Sequence, residues 1–260
     1  MISSSLNQQI TLPQGKKSYF AADFHLGVPD YESSLVREKK IVAWLNVIAK
    51  DAYSIYLLGD VFDFWFEYKY SIPKGFIRLQ GKLAELSDNG INIHMFTGNH
   101  DMWMFDYFPR EFNITVFREP QELVLNNKKF LIGHGDGLGK GEVGYKLLKR
   151  IFTSRVCQWL FARLHPNLGI GIANKWSRNS RITSSSETYN FMGEKERLLN
   201  YCKELENSNH HDYYIFGHRH LPMEIKLNEN CFYINLGDWV NFSKYGEFDG
   251  QEFKLLNFGK

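Results

Sequence analysis

Tyr53-Ser54-Ile55-Tyr56-Leu57-Leu58-Gly59-Asp60 is the stretch on which the fold turns. Its apolar run, Tyr53–Leu58, is too short for a helix and stops at a Gly-Asp pair. It therefore reads as a buried strand that delivers an acid at its carboxyl end. The same grammar recurs on both sides. Upstream, Ser18–Ala22 reads as a strand ending at Asp23-Phe24-His25, and downstream Ile91–Thr97 reads as a third ending in Gly98-Asn99-His100-Asp101. Between them, Leu35, Ile41, Leu45 and Ile48 fall at helical spacing, and Phe76 to Leu86 reads as a helix closed by Asn89-Gly90. Strand, helix, strand, helix, strand predicts a parallel sheet with helices packed on its faces, an α/β architecture.

Beyond residue 120 the pattern changes. Glu122–Leu125 and Lys129–Ile132 flank Asn126-Asn127, the signature of a hairpin with a two-residue turn. Its second arm ends in Gly133-His134-Gly135-Asp136. Tyr213–Phe216 ends in Gly217-His218-Arg219-His220, and Cys231–Leu236 precedes Gly237-Asp238. These strands are not spaced by helices in the earlier way, which predicts an antiparallel portion or a second sheet. Between them, residues 140–181 hold nine Lys or Arg (Lys140, Lys146, Lys149, Arg150, Arg155, Arg163, Lys175, Arg178, Arg181) and one acid, Glu142. Leu148, Phe152, Val156, Leu160 and Leu164 repeat there at i, i+4, widened by Ile151, Trp159 and Phe161, which predicts a basic amphipathic helical insertion.

The chain of 260 residues is 43% hydrophobic and 23% charged, which excludes disorder, collagen and coiled coil for the whole chain. A formal net charge of +2 gives no global field, so the basic segment is local and a long nucleic-acid polymer is not the expected partner. Cys157, Cys202 and Cys231 form no CxxC pair, so neither a disulfide framework nor a thiolate zinc site is expected. No secretory signal and no run of about 18 apolar residues is visible, and a reduced, cytosolic protein is the expectation.

The polar residues collect at the carboxyl ends of strands, where open α/β sheets bind their ligands. The glycines there serve turns with positive φ or close backbone approach. Carboxylate, carboxamide and imidazole together suit first-row divalent ions, whereas calcium wants more oxygens. There are too many donors for one four-coordinate ion; two ions sharing one carboxylate fit better and suit phosphoryl chemistry. His94, His165, His210 and His211 stand outside these motifs and read as surface or satisfied residues. Asp63 and Asp136 read equally as orienters of neighbouring groups or as turn residues, and Arg219 as a spacer.

In this order, Asp23-x-His25, Gly59-Asp60, Gly98-Asn99-His100-Asp101, His134-Gly135-Asp136 and Gly217-His218-x-His220 resemble the calcineurin-like metallophosphoesterase superfamily. The resemblance spans residues 18–240 and implies a four-layer αββα sandwich, here one domain over 1–260 with a helical lid inserted at 137–200. It implies one metal held by Asp23, His25, Asp60 and His220 and another by Asp60, Asn99, His134 and His218, with Asp60 bridging. It further implies His100 as electrophile or general acid, oriented by Asp101. The implied cofactor is a pair of divalent cations, Mn²⁺ foremost, with Fe²⁺ or Zn²⁺ as alternatives.

Within that superfamily the sequence looks most like the UDP-2,3-diacylglucosamine pyrophosphohydrolases of lipid A synthesis. The carriers are Leu57-Leu58-Gly59-Asp60-Val61-Phe62-Asp63-Phe64-Trp65, the basic insertion, Arg178-Asn179-Ser180 with Ser184–Ser186, and Leu236-Gly237-Asp238-Trp239. The resemblance implies attack of water on the UMP-side phosphorus, release of UMP and diacylglucosamine 1-phosphate, and a lid over the acyl chains. It implies a nucleotide-linked glycolipid as substrate and peripheral contact with the inner face of the inner membrane. Arg178, Asn179, Ser180 and Glu142 are the expected substrate contacts. Two departures stand out: well-known members carry Arg where this chain has His100, and often His where it has Phe216. A metallophosphoesterase acting on another phosphomonoester or phosphodiester, and a scaffold that kept the fold, are the rival readings.

Overall fold

The computed structural model describes residues 9–184 and 189–259, apart from the side chains of 174, 176 and 178–184. The first half runs β1 (Gln9–Ile10), β2 (Lys17–Ala21), α1 (Tyr31–Ile48), β3 (Ala52–Leu58), α2 (Ile77–Asp88), β4 (Asn92–Phe96), α3 (Tyr107–Phe112) and β5 (Thr115–Phe117). It continues with β6 (Gln121–Leu125), β7 (Lys128–Gly133), α4 (Val143–Phe152), α5 (Arg155–Phe161), α6 (Pro166–Ser184), a 3₁₀ turn at Gly193–Lys195 and α7 (Arg197–Glu206). The last strands are β8 (Tyr213–Phe216), β9 (Met223–Asn228), β10 (Cys231–Asn235), β11 (Lys244–Phe248) and β12 (Phe253–Asn257).

Two six-stranded mixed sheets result. One has the order β12-β11-β2-β3-β4-β5, with β2 to β5 parallel and the β11–β12 hairpin added antiparallel; the other has the order β1-β6-β7-β8-β10-β9. Side-chain alternation along each strand explains the stacking. From β2 and β3, Tyr19, Ala21, Ile55 and Leu57 face Ile41, Trp44 and Leu45 of α1 and Leu79 and Leu83 of α2. Their neighbours Phe20, Tyr56 and Leu58 face the other sheet, meeting Phe130, Ile132, Ile215 and Ile234. On that sheet's far side, Leu131, Tyr214, Phe216 and Tyr233 pack against Leu198, Leu199 and Cys202 of α7. The layers are thus helices, sheet, sheet, helix, as expected of an αββα sandwich.

Local chemistry explains most boundaries. Asp30 caps α1 by accepting from Ser33 N at 2.8 Å. Asn126 and Asn127, at φ 46° and 69°, make the tight turn of the β6–β7 hairpin. α2 begins one residue later than expected because Phe76 is left-handed at φ 55° and offers no cap. Glu38 of α1 supplies the cap instead, its Oε1 accepting Arg78 N at 2.8 Å and Leu79 N at 3.1 Å. The cysteines are free.

The expected single amphipathic stripe at 148–164 is two helices. Ser154 breaks it, capping α5 through Cys157 N at 3.2 Å. The break sorts the apolar side chains. Phe152 and Phe161 turn inward, the Phe161 ring lying 4.7 Å from both Trp103 and Phe66, and Trp103 Nε1 donates to Phe152 O at 2.8 Å. Val156, Trp159 and Leu160 stay exposed. Among the described residues no helix is long and apolar enough to cross a membrane.

Candidate metal centre

Five loops at the carboxyl ends of β2, β3, β4, β7 and β8 meet at one rim. Asp23 and His25 follow β2, Asp60 follows β3, Asn99 and His100 follow β4, His134 follows β7, and His218 and His220 follow β8. The backbone there is strained at the functional residues themselves: Asp23, His25, Asp60, His218 and His220 all have φ between 44° and 65°. Such non-glycine conformations persist only where surrounding contacts over-determine them. The nearby glycines answer a different need. A Cβ on Gly98 would stand 2.2 Å from Asp60 Oδ1, and one on Gly217 2.4 Å from Asp23 Oδ2. Neither has positive φ, so they are required for room rather than torsion.

The seven expected ligand residues come together in two groups. In one, His25 Nε2 lies 3.1 Å from His220 Nε2, 3.6 Å from Asp23 Oδ1 and 3.7 Å from Asp60 Oδ2, and His220 Nε2 lies 3.4 Å from Asp23 Oδ1. In the other, Asn99 Oδ1 lies 3.2 Å from His134 Nε2 and 3.0 Å from His218 Nδ1, and His134 Nε2 lies 3.4 Å from Asp60 Oδ2. Asp60 belongs to both groups.

Each aspartate is half satisfied. Asp60 Oδ1 accepts His100 N at 2.9 Å and Asp23 Oδ2 accepts His218 N at 2.9 Å. Their other oxygens, Asp60 Oδ2 and Asp23 Oδ1, are buried without a hydrogen-bond donor. A buried carboxylate oxygen with no donor is costly unless a cation meets it. The imidazoles are set to match. A carbonyl only accepts, so His134, at 2.8 Å from Leu58 O, carries its proton on Nδ1 and turns the Nε2 lone pair to the centre. His25 and His220 likewise present Nε2, with their Nδ1 atoms toward Asp63 Oδ1 at 3.4 Å and Asp238 Oδ2 at 3.7 Å. These donors, oxygen and nitrogen without sulfur, fit a pair of first-row divalent cations.

The electrostatics agree. Burial pushes Asp60 up, but the imidazoles of His134, His100 and His25 outweigh it and hold the carboxyl well below its usual range. Burial pushes His134 down, yet Asp60 and Asp23 carry it up to about 10. The rim therefore demands positive charge, either as ring protons or as cations.

The structure redistributes some roles. Asp101, expected to orient His100, holds backbone instead: Oδ1 accepts Gly98 N at 2.7 Å and Asp60 N at 3.3 Å, and Oδ2 accepts Val61 N at 2.8 Å and Phe62 N at 3.3 Å. It clips the β3 and β4 loops together. The groups facing His100 Nδ1 are the Asp63 carbonyl at 3.1 Å, the Asp63 carboxylate at 3.5 Å and the Ser177 hydroxyl at 3.3 Å. Arg219 is a brace rather than a spacer, its Nε and Nη2 each lying 3.0 Å from the Glu196 carboxylate. Glu142, expected at the substrate, stands at the start of α4 and pairs with Arg197. The side chains of Arg178, Asn179 and Ser180, on α6, lie outside the described residues, as do Ser185 and Ser186. Asp238, quoted from the sequence within Leu236-Gly237-Asp238-Trp239, had no site role there, although the Gly-Asp that follows β10 repeats the signal of the other loops. Of the lone histidines, His210 pairs with Glu206 and His211 with Glu122, as expected of satisfied residues, while His94 stacks on Tyr56.

Residues 17–222 match the Calcineurin-like phosphoesterase family. A protein of Porphyromonas gingivalis (strain ATCC BAA-308 / W83) named UDP-2,3-diacylglucosamine hydrolase is 37% identical over 251 residues, which cover 90% of this chain and 94% of that one. One of the same name from Histophilus somni (strain 129Pt) is 28% identical over 245 residues, covering 93% and 100%. Among solved structures, a phosphoesterase from E. coli superposes with a TM-score of 0.46 at 14% identity, covering 94% of this chain and 93% of its own.

Proposed function

The chain belongs to the calcineurin-like phosphoesterase family, and we propose that it hydrolyses the diphosphate of UDP-2,3-diacylglucosamine to UMP and diacylglucosamine 1-phosphate. The observation that carries this reading is the pair of donor-less buried oxygens, Asp23 Oδ1 and Asp60 Oδ2, facing the imidazoles of His25, His134 and His220, in a chain 37% identical to a hydrolase of that name. Asp23, His25, Asp60 and His220 would hold one divalent cation, and Asp60, Asn99, His134 and His218 the other. Mn²⁺ is the ion taken for this reading, with Fe²⁺ and Zn²⁺ as alternatives that the same oxygen and nitrogen donors accept. When bound, such ions polarise a phosphoryl oxygen and make a water acidic enough to attack at neutral pH.

The chain's own residues do the rest. Asp101 keeps the Gly98 and Asp60 loops at fixed distance, so the carboxylate and carboxamide donors are preset. Asp63 turns His100, which gives a proton to the leaving phosphate. His100 stands where well-known glycolipid hydrolases carry Arg; an imidazolium supplies one positive charge and one proton at that place.

The whole chain forms one domain in this reading, with residues 137–200 as its lid. Ile151, Val156, Trp159, Leu160 and Ile172 are exposed on α4 to α6 among Lys146, Arg150, Arg155 and Arg163. That combination suits acyl chains beneath and an anionic bilayer outside, which supports the reading of a protein that works on the cytoplasmic face of the inner membrane. Arg178, Asn179 and Ser180 offer hydrogen bonds to phosphate and sugar.

The test is hydrolysis of the glycolipid with Mn²⁺ in ¹⁸O-water, with mass detection of both products. Label in UMP is the expected result. Asp60→Ala should abolish UMP release, and turnover at the wild-type rate in that variant defeats the assignment. A panel of other phosphomonoesters and phosphodiesters, cleaved while the glycolipid is not, selects the alternative substrate class.

A further inference from the structure

Three carboxylates stand near the rim histidines, and each takes a hydroxyl from the segment between β7 and α7. Asp63 Oδ1 lies 3.4 Å from His25 Nδ1 and 3.5 Å from His100 Nδ1, while its Oδ2 accepts the Ser177 hydroxyl of α6 at 2.7 Å. Asp238 Oδ2 lies 3.7 Å from His220 Nδ1 and accepts the Tyr189 hydroxyl at 3.1 Å. Asp136, two residues beyond His134, accepts the Tyr145 hydroxyl of α4 at 2.6 Å. All three carboxylates are buried.

Elsewhere α4 and α5 meet the body of the protein through Phe152 and Phe161 against Trp103 and Phe66 and through the Lys149–Asp136 ion pair at 2.8 Å. Neither α4 nor α5 has a buried residue. On α6, among the described side chains, the buried positions are Gly169, where a Cβ would stand 2.6 Å from the Tyr68 hydroxyl, and Ser177, which is 7% exposed. A serine buries little apolar area, so its burial contributes little through the hydrophobic effect. What it contributes is direction: one hydroxyl fixes the outer oxygen of a carboxylate whose inner oxygen faces two imidazoles.

We infer that Ser177 is a positioning residue that ties α6 to the Asp63 carboxylate, so that seating the helical segment and binding cations at the rim are thermodynamically linked, with Tyr189 and Tyr145 as further ties. Without the Ser177 hydroxyl, the outer oxygen of Asp63 loses this hydrogen bond, and the carboxylate is less firmly directed at the two rings. The coupling is reciprocal: whatever seats the segment tightens cation binding by the factor by which cations favour the seated segment. The inference rests on the rim being a cation site, and the following measurements separate the two.

The experiment takes the full chain, wild type and Ser177→Ala, and titrates Mn²⁺ by electron paramagnetic resonance. Backbone hydrogen exchange over residues 166–177 is followed with and without Mn²⁺. Ser177→Ala is expected to bind Mn²⁺ about tenfold more weakly, the usual scale for losing a group that orients a ligand. Residues 166–177 should gain protection on loading in the wild type but not in the variant. Wild-type affinity in Ser177→Ala, with the same gain of protection, overturns the coupling and leaves the cation site standing. A wild-type chain that binds no Mn²⁺ removes the cation site and the coupling with it. If Ser177→Ala does not fold by circular dichroism, Tyr189→Phe decides by its Mn²⁺ affinity: this change removes one hydroxyl from a ring that is 41% exposed. About tenfold weaker binding supports the coupling, and wild-type binding overturns it.

Discussion

Gly98→Ala is the substitution whose outcome the geometry of the rim determines most sharply. The new methyl would stand 2.2 Å from Asp60 Oδ1, 2.7 Å from Asp60 Cγ and 2.7 Å from Asp60 N. To reach ordinary contact, one partner must move by roughly 1 Å. Asp60 has nowhere to go, because His100 N holds its Oδ1 at 2.9 Å and Asp101 clips both loops. Overpacking of this sort costs about 1–3 kcal/mol of stability. A displacement of about 1 Å at a reacting centre costs about a hundredfold in rate. The assay is UMP release from the glycolipid with saturating Mn²⁺, beside Mn²⁺ affinity and thermal melting. Gly90→Ala is the control: its φ is 81° and nothing lies within 4 Å of its Cβ, so it should lower stability by about 1 kcal/mol and leave turnover intact. A Gly98→Ala enzyme within threefold of wild-type kcat/KM refutes the claim that the carboxylate needs that space.

Other perturbations test other parts of the structure. Asp101→Asn turns an amide nitrogen toward backbone N–H donors and should cost on the order of 3 kcal/mol, read from urea unfolding; unchanged stability contradicts its role as a clip. Glu206 is pushed up by burial, but its hydrogen bonds, from His210 first and then His211 N, Tyr214 and Asn228, hold it down to about 2. A depressed carboxylate stabilises the fold above its ordinary value of 4.5 and stops doing so as pH falls toward about 2. Glu206→Gln should therefore melt earlier at neutral pH, with the gap from wild type closing across that window. A gap that stays constant down to pH 2 rules the effect out. Changing Trp159 and Leu160 to Asp should cut sedimentation with anionic vesicles at least about tenfold, since each buries about 1.5–3 kcal/mol of apolar surface in a bilayer. Unchanged sedimentation removes the membrane face.

The strands were legible because a short apolar run closed by Gly and a polar residue is a local signal. Tyr213–Phe216 matches its strand end to end, and the ends of the other six expected strands lie within one residue of those observed. β1, β5, β9 and the β11–β12 hairpin were not anticipated. The hairpin's own turn carries a local signal, Asp249-Gly250 between Phe248 and Phe253, but its pairing with the edge of β2, across more than 200 residues, leaves none. The stripe at 148–164 misled because i, i+4 spacing survives a break: Ser154 interrupts the helix without disturbing the arithmetic.

Within the rim, the order of Asp, His and Asn along the chain determined which side chains arrive at one edge, since each follows a strand that the apolar pattern defines. Only the tertiary structure decided what each does there. It gave the His100 ring to Asp63 rather than to its neighbour Asp101, turned two aspartate oxygens toward the centre without a donor, and brought Ser177 across more than a hundred residues to Asp63. The reason is physical: a strand's period and its stop are written in adjacent residues, whereas the partner of a buried polar atom is fixed by sheet register and loop approach. Those emerge only when distant segments pack.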